Sequence, residues 1–232
     1  GTPELQVDRS WNPTTGELTL HFHQATAPTP GQPQKPPLVL PVSLALIGPE
    51  GREGEEHLLV MDQDHATLSL TVSPAEQPPA VSVLRGFSAP VRLRMEASLS
   101  ETLQLLARDD DAFCRWDAAQ RLFRQVLLAR AAGRIDEEVE PALIAAIAQR
   151  LEAVDQSNAS ELATLLAFPG MAELEVMQAP VDPLALFDAV LALRRALGQQ
   201  LQLQLEHCLI RCRSGWIQPW PEGQGDRQLT AV

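Results

Sequence analysis

Lysine is nearly absent from this sequence, and basic residues as a whole are scarce. Lys35 is the single lysine, and 30 acidic residues outnumber the 18 lysines and arginines, which gives a net charge of −12. The acidic excess holds in both parts of the chain, with 11 acidic and 6 basic residues in 1–98 and 19 and 12 in 99–232. Because phosphate backbones require a basic surface, nucleic acid is excluded as an expected partner.

Cysteine and long apolar runs are also lacking. The three cysteines, Cys114, Cys208 and Cys212, cannot all pair within the chain, and a chain of this size does not need disulfides to fold. This cysteine usage predicts a reducing, cytoplasmic setting. No uncharged apolar run approaches the roughly 18 residues that span a bilayer, and the N-terminus has neither a basic region nor an apolar signal core. We therefore expect no membrane partner.

The motifs of common hydrolases and nucleotide-binding enzymes are missing. No His-Glu dipeptide occurs, which excludes the helix-borne His-Glu-x-x-His zinc site of metallopeptidases from this sequence. The Gly-x-Ser-x-Gly elbow, the Gly-x-x-x-x-Gly-Lys phosphate loop and the Gly-x-Gly-x-x-Gly dinucleotide loop are absent as well. We therefore predict that this chain supplies no catalytic residue, no cofactor-binding residue and no metal ligand.

The residues that are present divide the sequence into two parts. Most of the 19 prolines lie before residue 100, and the stretches rich in Ala, Leu, Arg and Gln lie after it. Such a shift predicts an all-β part followed by an all-α part rather than an interleaved α/β fold. With 45% hydrophobic residues, both parts can bury a core. We predict one domain over residues 1–97 and a second over residues 98–232.

Alternating apolar residues predict about seven short strands in the first part. Between Leu18 and Phe22, for example, apolar residues alternate with polar ones, as in a half-buried strand. Seven short strands within about 97 residues are typical of an immunoglobulin-like β-sandwich. The proline-rich stretch 27–37 cannot pair as a central strand, and we predict a surface loop there. The other strand candidates are Leu5–Val7, Val42–Leu46, His57–Val60, Leu68–Val72, Val81–Leu84 and Val91–Met95.

The second part has helical periodicity with several start signals. Candidate N-caps are Ser98 and Asn158, each with a glutamate three residues on, together with Asp111 and Asp182. A succession of such helices predicts the first part of a superhelical domain, truncated at Val232. The predicted helices run from Ser98 to about Arg108, Asp111 to Gly133, Glu137 to Val154, Leu162 to Ala167, Ala172 to Met177, and Asp182 to about Arg211 with a bend near Gly198, and a last one begins at Asp226.

The five histidines include one pair with the spacing of a chelate. His21 and His23 project from the same face of a predicted strand, and they could hold a metal if a third ligand approached. No third ligand is evident, so we expect two partly exposed histidines on the polar side of a sandwich. His57 and His65 lie beside acidic residues without ligand spacing and are expected in loops.

Two further clusters have the residue types of a metal site. Cys208 and Cys212 stand one helical turn apart, but no second cysteine pair exists, and free thiols are expected. The acidic run Asp109–Asp111 lies between two predicted helices. The first two residues end one helix and the third caps the next, so capping and solvation explain the run.

Two aromatic residues mark the second predicted helix. Phe113 and Trp116 share one stripe of this helix, where they would anchor it in a core. We predict that Trp116 is buried near the sandwich-facing end of the helical part, and that Arg115 or Asp117 bridges to the sandwich.

Several motifs, in order, make the sequence resemble bacterial aminopeptidase N, a zinc metallopeptidase of the gluzincin type. The resemblance covers most of residues 1–131 and is looser afterwards. The motifs are Gly1-Thr2-Pro3, the Asn12-Pro13 turn, Gln24 to Gln32 leading to Lys35-Pro36-Pro37-Leu38, Gly86-Phe87-Ser88-Ala89-Pro90-Val91, and Arg115-Trp116-Asp117-Ala118-Ala119-Gln120.

The resemblance implies a zinc-dependent exopeptidase whose catalytic domain precedes Gly1, with the sandwich joining it to the helical domain. The zinc is then expected in the catalytic domain of the parent protein, and the partners are that domain and the peptide substrates of the parent enzyme. This chain alone is expected to be inactive. Two alternatives remain: a free-standing sandwich-plus-helix module that binds a peptide or protein, and an independent hydrolase with a dispersed site.

Overall fold

A computed structural model describes residues 1–154 and 157–213 of the chain. Within them, strands occupy the first part and helices the second, so the predicted all-β plus all-α fold class is confirmed. The chain divides into two compact units, Gly1–Cys114 and Arg115–Val232, each of which is described by itself.

The first unit contains strands at all seven predicted places. They form a four-stranded sheet in the order β5-β2-β1-β7 and a three-stranded sheet in the order β4-β3-β6. The alternation read from the sequence is visible in β2, where Leu18, Leu20 and Phe22 are buried and His21 is exposed. The strands are β1 (Glu4–Asn12), β2 (Glu17–Ala25), β3 (Leu40–Gly48), β4 (Gly51–Met61), β5 (His65–Thr71), β6 (Ala80–Val83) and β7 (Arg92–Arg94).

The turn between β1 and β2 depends on a glycine. Asn12 accepts a hydrogen bond from the backbone N–H of Thr14 at 3.0 Å, which closes the turn. Gly16 follows with a φ of +69°, and a Cβ at this position would lie 2.0 Å from the carbonyl oxygen of Val72. Only glycine fits this close approach without strain.

A buried glutamine fixes the far end of the proline-rich loop. Residues 27–37 contain no strand, as predicted, and most of them are exposed. The side chain of Gln24, only 4% exposed, donates to the carbonyl oxygens of Leu38 at 2.8 Å and Gln63 at 2.9 Å, and accepts from the N–H of Leu38 at 3.0 Å. The side chain of Gln24 therefore supplies hydrogen-bond partners to backbone groups where the loop rejoins the sandwich.

The first helix, α1 (Leu99–Arg108), belongs to the first unit. The predicted capping box at its start is confirmed, because Ser98 and Glu101 exchange side-chain and backbone hydrogen bonds. The helix buries Leu106 and packs against β3 and β6. Gln104 adds a hydrogen bond from its side-chain amide to the carbonyl oxygen of Ile47 at 2.8 Å.

The second unit is built from helices with a core of leucine and other aliphatic side chains. Leu127, Leu143 and Leu193 are among its fully buried residues. Asp182 caps α6 through the N–H of Ala185, as its position before proline predicts. The helices are α2 (Ala112–Ala131), within which the two units meet in sequence, α3 (Val139–Glu152), α4 (Ala159–Leu165), α5 (Met171–Met177), α6 (Pro183–Gln200) and α7 (Gln202–Arg213).

Two helix predictions are corrected. The long helix predicted from Asp182 to about Arg211, with a bend near Gly198, is two helices, because the buried Leu201 leaves helical geometry between α6 and α7. The capping box predicted at Asn158 is wrong, since that side chain makes no cap and Glu161 pairs instead with Arg115. The helix predicted to begin at Asp226 lies outside the described residues.

Candidate functional site

A buried arginine in the first unit binds side chains from three other segments. Arg85 is only 5% exposed, although its side chain is charged. Its guanidinium donates to Glu56 Oε2 at 2.8 Å, to Ser82 Oγ at 3.1 Å, to Asp109 Oδ1 at 2.7 Å, and to Asp110. We refer to these five residues as the Arg85 network. They come from β4, from β6, from the turn after β6 and from the end of α1.

The backbone around Arg85 has an unusual conformation. Leu84 has a φ of +65° and Phe87 a φ of +54°, in the left-handed region that residues with a side chain rarely adopt. Gly86, between them, has a φ of +61° and tolerates this region. The burial of Leu84, at 3% exposure, and the bonds of Arg85 hold the turn against this strain.

Opposite charges stabilise the ionised forms of the network. Burial by itself would lower the pKa of Arg85, but its hydrogen bonds to Glu56 and Asp110 outweigh burial, and the pKa is raised. The hydrogen bond from Ser43, followed by that from Arg85, lowers the pKa of Glu56. For Asp110, burial opposes the shift, but the bond from Arg85 prevails and the pKa is lowered. All three groups are therefore charged near neutral pH.

Asp111 connects the strained turn to the start of α2. Its carboxylate accepts from the backbone N–H of Gly86 at 2.9 Å and from that of Cys114 at 2.8 Å. The predicted cap at Asp111 is thus confirmed. Cys114 is buried and its thiol donates to the carbonyl oxygen of Val83 at 3.5 Å, and burial raises the pKa of this thiol. The first turn of α2 is therefore attached to the turn after β6.

The acidic run Asp109–Asp111 has a role that the sequence did not reveal. Capping explains Asp111, but Asp109 and Asp110 bind Arg85, which lies 24 and 25 residues away in sequence. The side chain of Asp109 is fully buried, and that of Asp110, although 46% exposed, is paired with Arg85. Arg85 directly precedes the motif that begins at Gly86, but no local sequence pattern pairs it with a distant helix end.

A second ion pair joins α1 to the four-stranded sheet. Arg9, on β1, donates Nη2 to Glu101 Oε2 at 2.7 Å, and Glu101 is the same residue that completes the capping box with Ser98. Burial opposes ionisation of Glu101, but the bond from Arg9 prevails and the pKa of the carboxyl is lowered. Together with the Arg85 network, this pair ties both ends of α1 to the sandwich.

The histidine pair lies where it was predicted, on the polar outer face of β2. His21 contacts Thr67 Oγ1 at 3.3 Å, and the ring of His23 lies 4.5 Å from the ring of His65 on β5. His57 and His65 belong to β4 and β5, so the expectation of loop histidines was wrong. Among residues 1–154 and 157–213, no group of three His, Cys, Asp or Glu side chains is arranged to hold a metal ion.

Cys208 and Cys212 on α7 are not joined in a disulfide. Cys208 is 1% exposed, and burial, with a further contribution from Cys212, raises its pKa to about 11. A thiol with this pKa remains protonated near neutral pH, whereas metal binding and nucleophilic attack require the thiolate. The thiol of Cys208 is therefore structural in character.

The burial of the aromatic residues of α2 differs from the prediction. Trp116 is only partly buried, so the expectation of a buried tryptophan was wrong. The core position of this helix is taken by Phe123, which is 0% exposed and packs against Phe168 with ring centroids 4.8 Å apart. The helical stripe continues past Trp116, and the burial of each residue depends on neighbouring helices that the stripe alone does not specify.

The Arg85 network has the properties of a structural clamp. Four protein side chains occupy the donors of a buried guanidinium, which leaves little of it for a substrate. Such a network fixes the segments that contribute to it, because separating them would leave a buried charge without a partner.

In the part of the chain that the structure describes, no helix is long and apolar enough to cross a bilayer.

Comparison with protein families finds two consecutive matches. Residues 1–96 match the family described as "Domain of unknown function (DUF3458) Ig-like fold". Residues 99–232 match the one described as "Domain of unknown function (DUF3458_C) ARM repeats".

Curated relatives carry the name aminopeptidase N. The protein from Caulobacter vibrioides is 38% identical over 190 residues, which is 82% of this chain and 22% of the relative. The protein from Escherichia coli is 32% identical over 221 residues, 88% of this chain and 24% of the relative. The resemblance drawn from the sequence motifs is confirmed. The chain spans about a quarter of the length of these relatives.

A solved structure extends the likeness to the whole chain. Legionella pneumophila aminopeptidase A in complex with aspartic acid matches with a TM-score of 0.72 and 24% identity, over 100% of this chain and 26% of that one. At this identity the match shows a shared fold.

Proposed function

Because the chain belongs to the DUF3458_C family of ARM-repeat domains and is homologous to bacterial aminopeptidase N, we propose that it is a non-catalytic part of a zinc aminopeptidase. The observation that carries this proposal is the alignment of 82% of the chain with 22% of a relative of that name. The parent protein removes N-terminal residues from peptides, and its zinc lies in a catalytic domain outside residues 1–232.

The part played by this chain in the parent is to join the catalytic domain to the helical domain. The sandwich, residues 1–97, and the helical domain, from residue 98, are then successive domains of one polypeptide. The Arg85 network supports this role, since it anchors the turn between α1 and α2 on the sandwich unit through a buried charge. A reducing, cytoplasmic setting accords with three cysteines that are not joined in disulfides.

The test compares the complete reading frame with residues 1–232 alone. Both proteins are assayed for zinc by metal analysis and for hydrolysis of an aminoacyl reporter substrate. We expect stoichiometric zinc and turnover in the complete protein, and neither in residues 1–232. A His-Glu-x-x-His motif upstream of Gly1, with a second glutamate some 20 residues later, is the expected sequence signature.

Two results would overturn the proposal. Stoichiometric zinc and turnover in residues 1–232 would place a catalytic site in this chain. A reading frame confined to these residues would instead favour a free-standing module that binds a peptide or protein.

A further inference from the structure

Each of the four arginines of α2 binds a carboxylate. A guanidinium stays charged in proteins, so an arginine that is withdrawn from water needs a partner of opposite charge. Arg115 is the most deeply buried of the four, at 6% exposure. The pairs are Arg115 with Glu161, Arg121 with Asp117, Arg124 with Glu173 and Arg130 with Glu140.

Arg150, in the last turn of α3, differs from these four arginines. Its side chain is partly buried, and its Nε is withdrawn from water. Among residues 1–154 and 157–213, no hydrogen-bond acceptor reaches this atom. A buried N–H without a partner is destabilising, and more so on a charged group. A position near the C-terminus of a helix favours a cation, but it does not supply the missing acceptor.

A second cation adds to the imbalance at Arg150. Burial lowers the pKa of the Arg150 guanidinium, and the positive charge of Arg115 lowers it further. A neighbouring carboxylate would instead raise this pKa. Arg115 already binds Glu161, so two guanidinium groups are accompanied by one carboxylate, and one positive charge is in excess.

The excess is a local exception in an acidic chain. The net charge is −12, and residues 99–232 contain 19 acidic and 12 basic residues. The overall composition therefore does not explain an arginine beside a second arginine with an unsatisfied Nε.

We propose that Arg150, beside Arg115, is a binding site for a carboxylate anion from solution, which Arg150 holds through the edge that carries Nε. The N–H of Nε and one N–H of Nη are parallel on this edge, so the two oxygens of a carboxylate can accept both. Arg115 contributes its charge, while its Nη2 stays on Glu161. The site does not depend on the proposed function.

Charge and access favour this ligand class. A carboxylate carries one negative charge and balances the single positive charge in excess, whereas a phosphate dianion would overcompensate it. The side chain of Arg150 remains partly exposed, so a small anion can reach it from solvent.

The first test uses the complete reading frame, with acetate as the probe. Phenylglyoxal modifies accessible guanidinium groups, and peptide mass spectrometry follows the rate at Arg150. Compared with chloride at the same ionic strength, we expect saturating acetate to slow the modification of Arg150 at least about fivefold, because a bound carboxylate covers the reactive edge. The exposed Arg195 is the internal reference, and acetate should leave its rate unchanged.

Three results of this test would overturn the inference. Equal protection by acetate and chloride would mean that ionic screening is the cause. Stronger protection by inorganic phosphate than by acetate would contradict the assignment to a carboxylate. Slow modification of Arg150 that responds to no anion would mean that a group of the protein itself occupies the Nε edge.

The second test removes the guanidinium. Arg150→Gln is compared with Arg124→Gln, a control in which the lost arginine has its own carboxylate partner. Amide hydrogen exchange of the peptides that contain α3 and α4 reports local stability in the complete protein. When acetate is at about twice its dissociation constant, exchange should slow by up to about threefold in the wild type and in Arg124→Gln. Arg150→Gln should not respond.

The same measurement in chloride gives a prediction of sign. Arg150→Gln should exchange no faster than the wild type, because it removes a repulsion from Arg115 and an unsatisfied N–H. Faster exchange in Arg150→Gln would show that Arg150 already has a stabilising partner, and the inference would fail. An acetate response that persists in Arg150→Gln would also refute it, because acetate would then act elsewhere.

Discussion

The guanidinium of Arg85 lies 2.7 Å from Oδ1 of Asp109, and both side chains are withdrawn from water, with exposures of 5% and 0%. The pair joins the turn after β6 to the C-terminal end of α1. Because both charges are buried, each is required to satisfy the other.

Arg85→Ala is therefore expected to destabilise the chain strongly. Removal of one partner leaves Asp109 as a buried charge, which typically costs about 3–5 kcal/mol of the free energy of unfolding. The control is Arg94→Ala, which breaks an ion pair with Glu4 in which Arg94 is 70% exposed and should cost no more than about 1 kcal/mol. Urea denaturation followed by circular dichroism measures both. Equal effects of the two changes would show that the network is not a clamp.

Gln24→Ala should also destabilise the sandwich, through hydrogen bonds alone. The change removes three hydrogen bonds to the backbone of Leu38 and Gln63, and each such bond contributes about 0.5–1.5 kcal/mol. Gln6→Ala removes an exposed bond to Asp8 and serves as the control, with a change within about 0.5 kcal/mol. Thermal denaturation of the variants compares the two. An unchanged melting temperature for Gln24→Ala would mean that water replaces the lost bonds.

Glu101→Gln should reduce stability in a pH-dependent way. The pKa of Glu101 is lower in the folded chain than in the unfolded one, so its ionisation stabilises the fold above the unfolded pKa, and this stabilisation is lost as the pH falls through the folded value. Glutamine resembles the protonated acid. The difference in the free energy of unfolding between wild type and Glu101→Gln should thus be largest near pH 7 and shrink below about pH 4.

Denaturation at a series of pH values tests this dependence. Glu96→Gln changes an exposed carboxyl and serves as the control, with a change in stability within about 0.5 kcal/mol. A difference for Glu101→Gln that grew as the pH fell would have the opposite sign and would contradict the role of Arg9 as its partner.

In the helical unit, Phe123→Ala should be more damaging than Trp116→Ala. Phe123 is fully buried against Phe168, and truncation of such a phenylalanine costs about 3–5 kcal/mol. Trp116 is partly exposed, so less apolar area is lost there. Phe187→Ala, at a position 52% exposed, is the control for loss of an aromatic ring. A larger effect at Trp116 than at Phe123 in denaturation experiments would restore the original assignment of the core.

The sequence by itself determined the order and type of the elements. The alternation in Leu18–Phe22 requires one face to be buried, and the cap at Asp111 depends on a backbone N–H three residues away, so each is decided by neighbours along the chain. The family resemblance was available for the same reason, since its motifs are short and continuous. The local signal failed at Asn158. Glu161, which the predicted capping box requires, pairs instead with the more distant Arg115.

Only the tertiary structure decided which distant groups meet. Asp109 and Asp110 have an ordinary helix-end pattern, and nothing near them in sequence indicates Arg85 as a buried partner. The two faces of β4 are likewise invisible in the sequence, because Leu58–Met61 reads as a continuous apolar run until the pairing with β3 assigns its residues to two faces. The physical reason is that burial and charge pairing depend on proximity in space, which strand pairing and helix packing create between residues far apart in the chain.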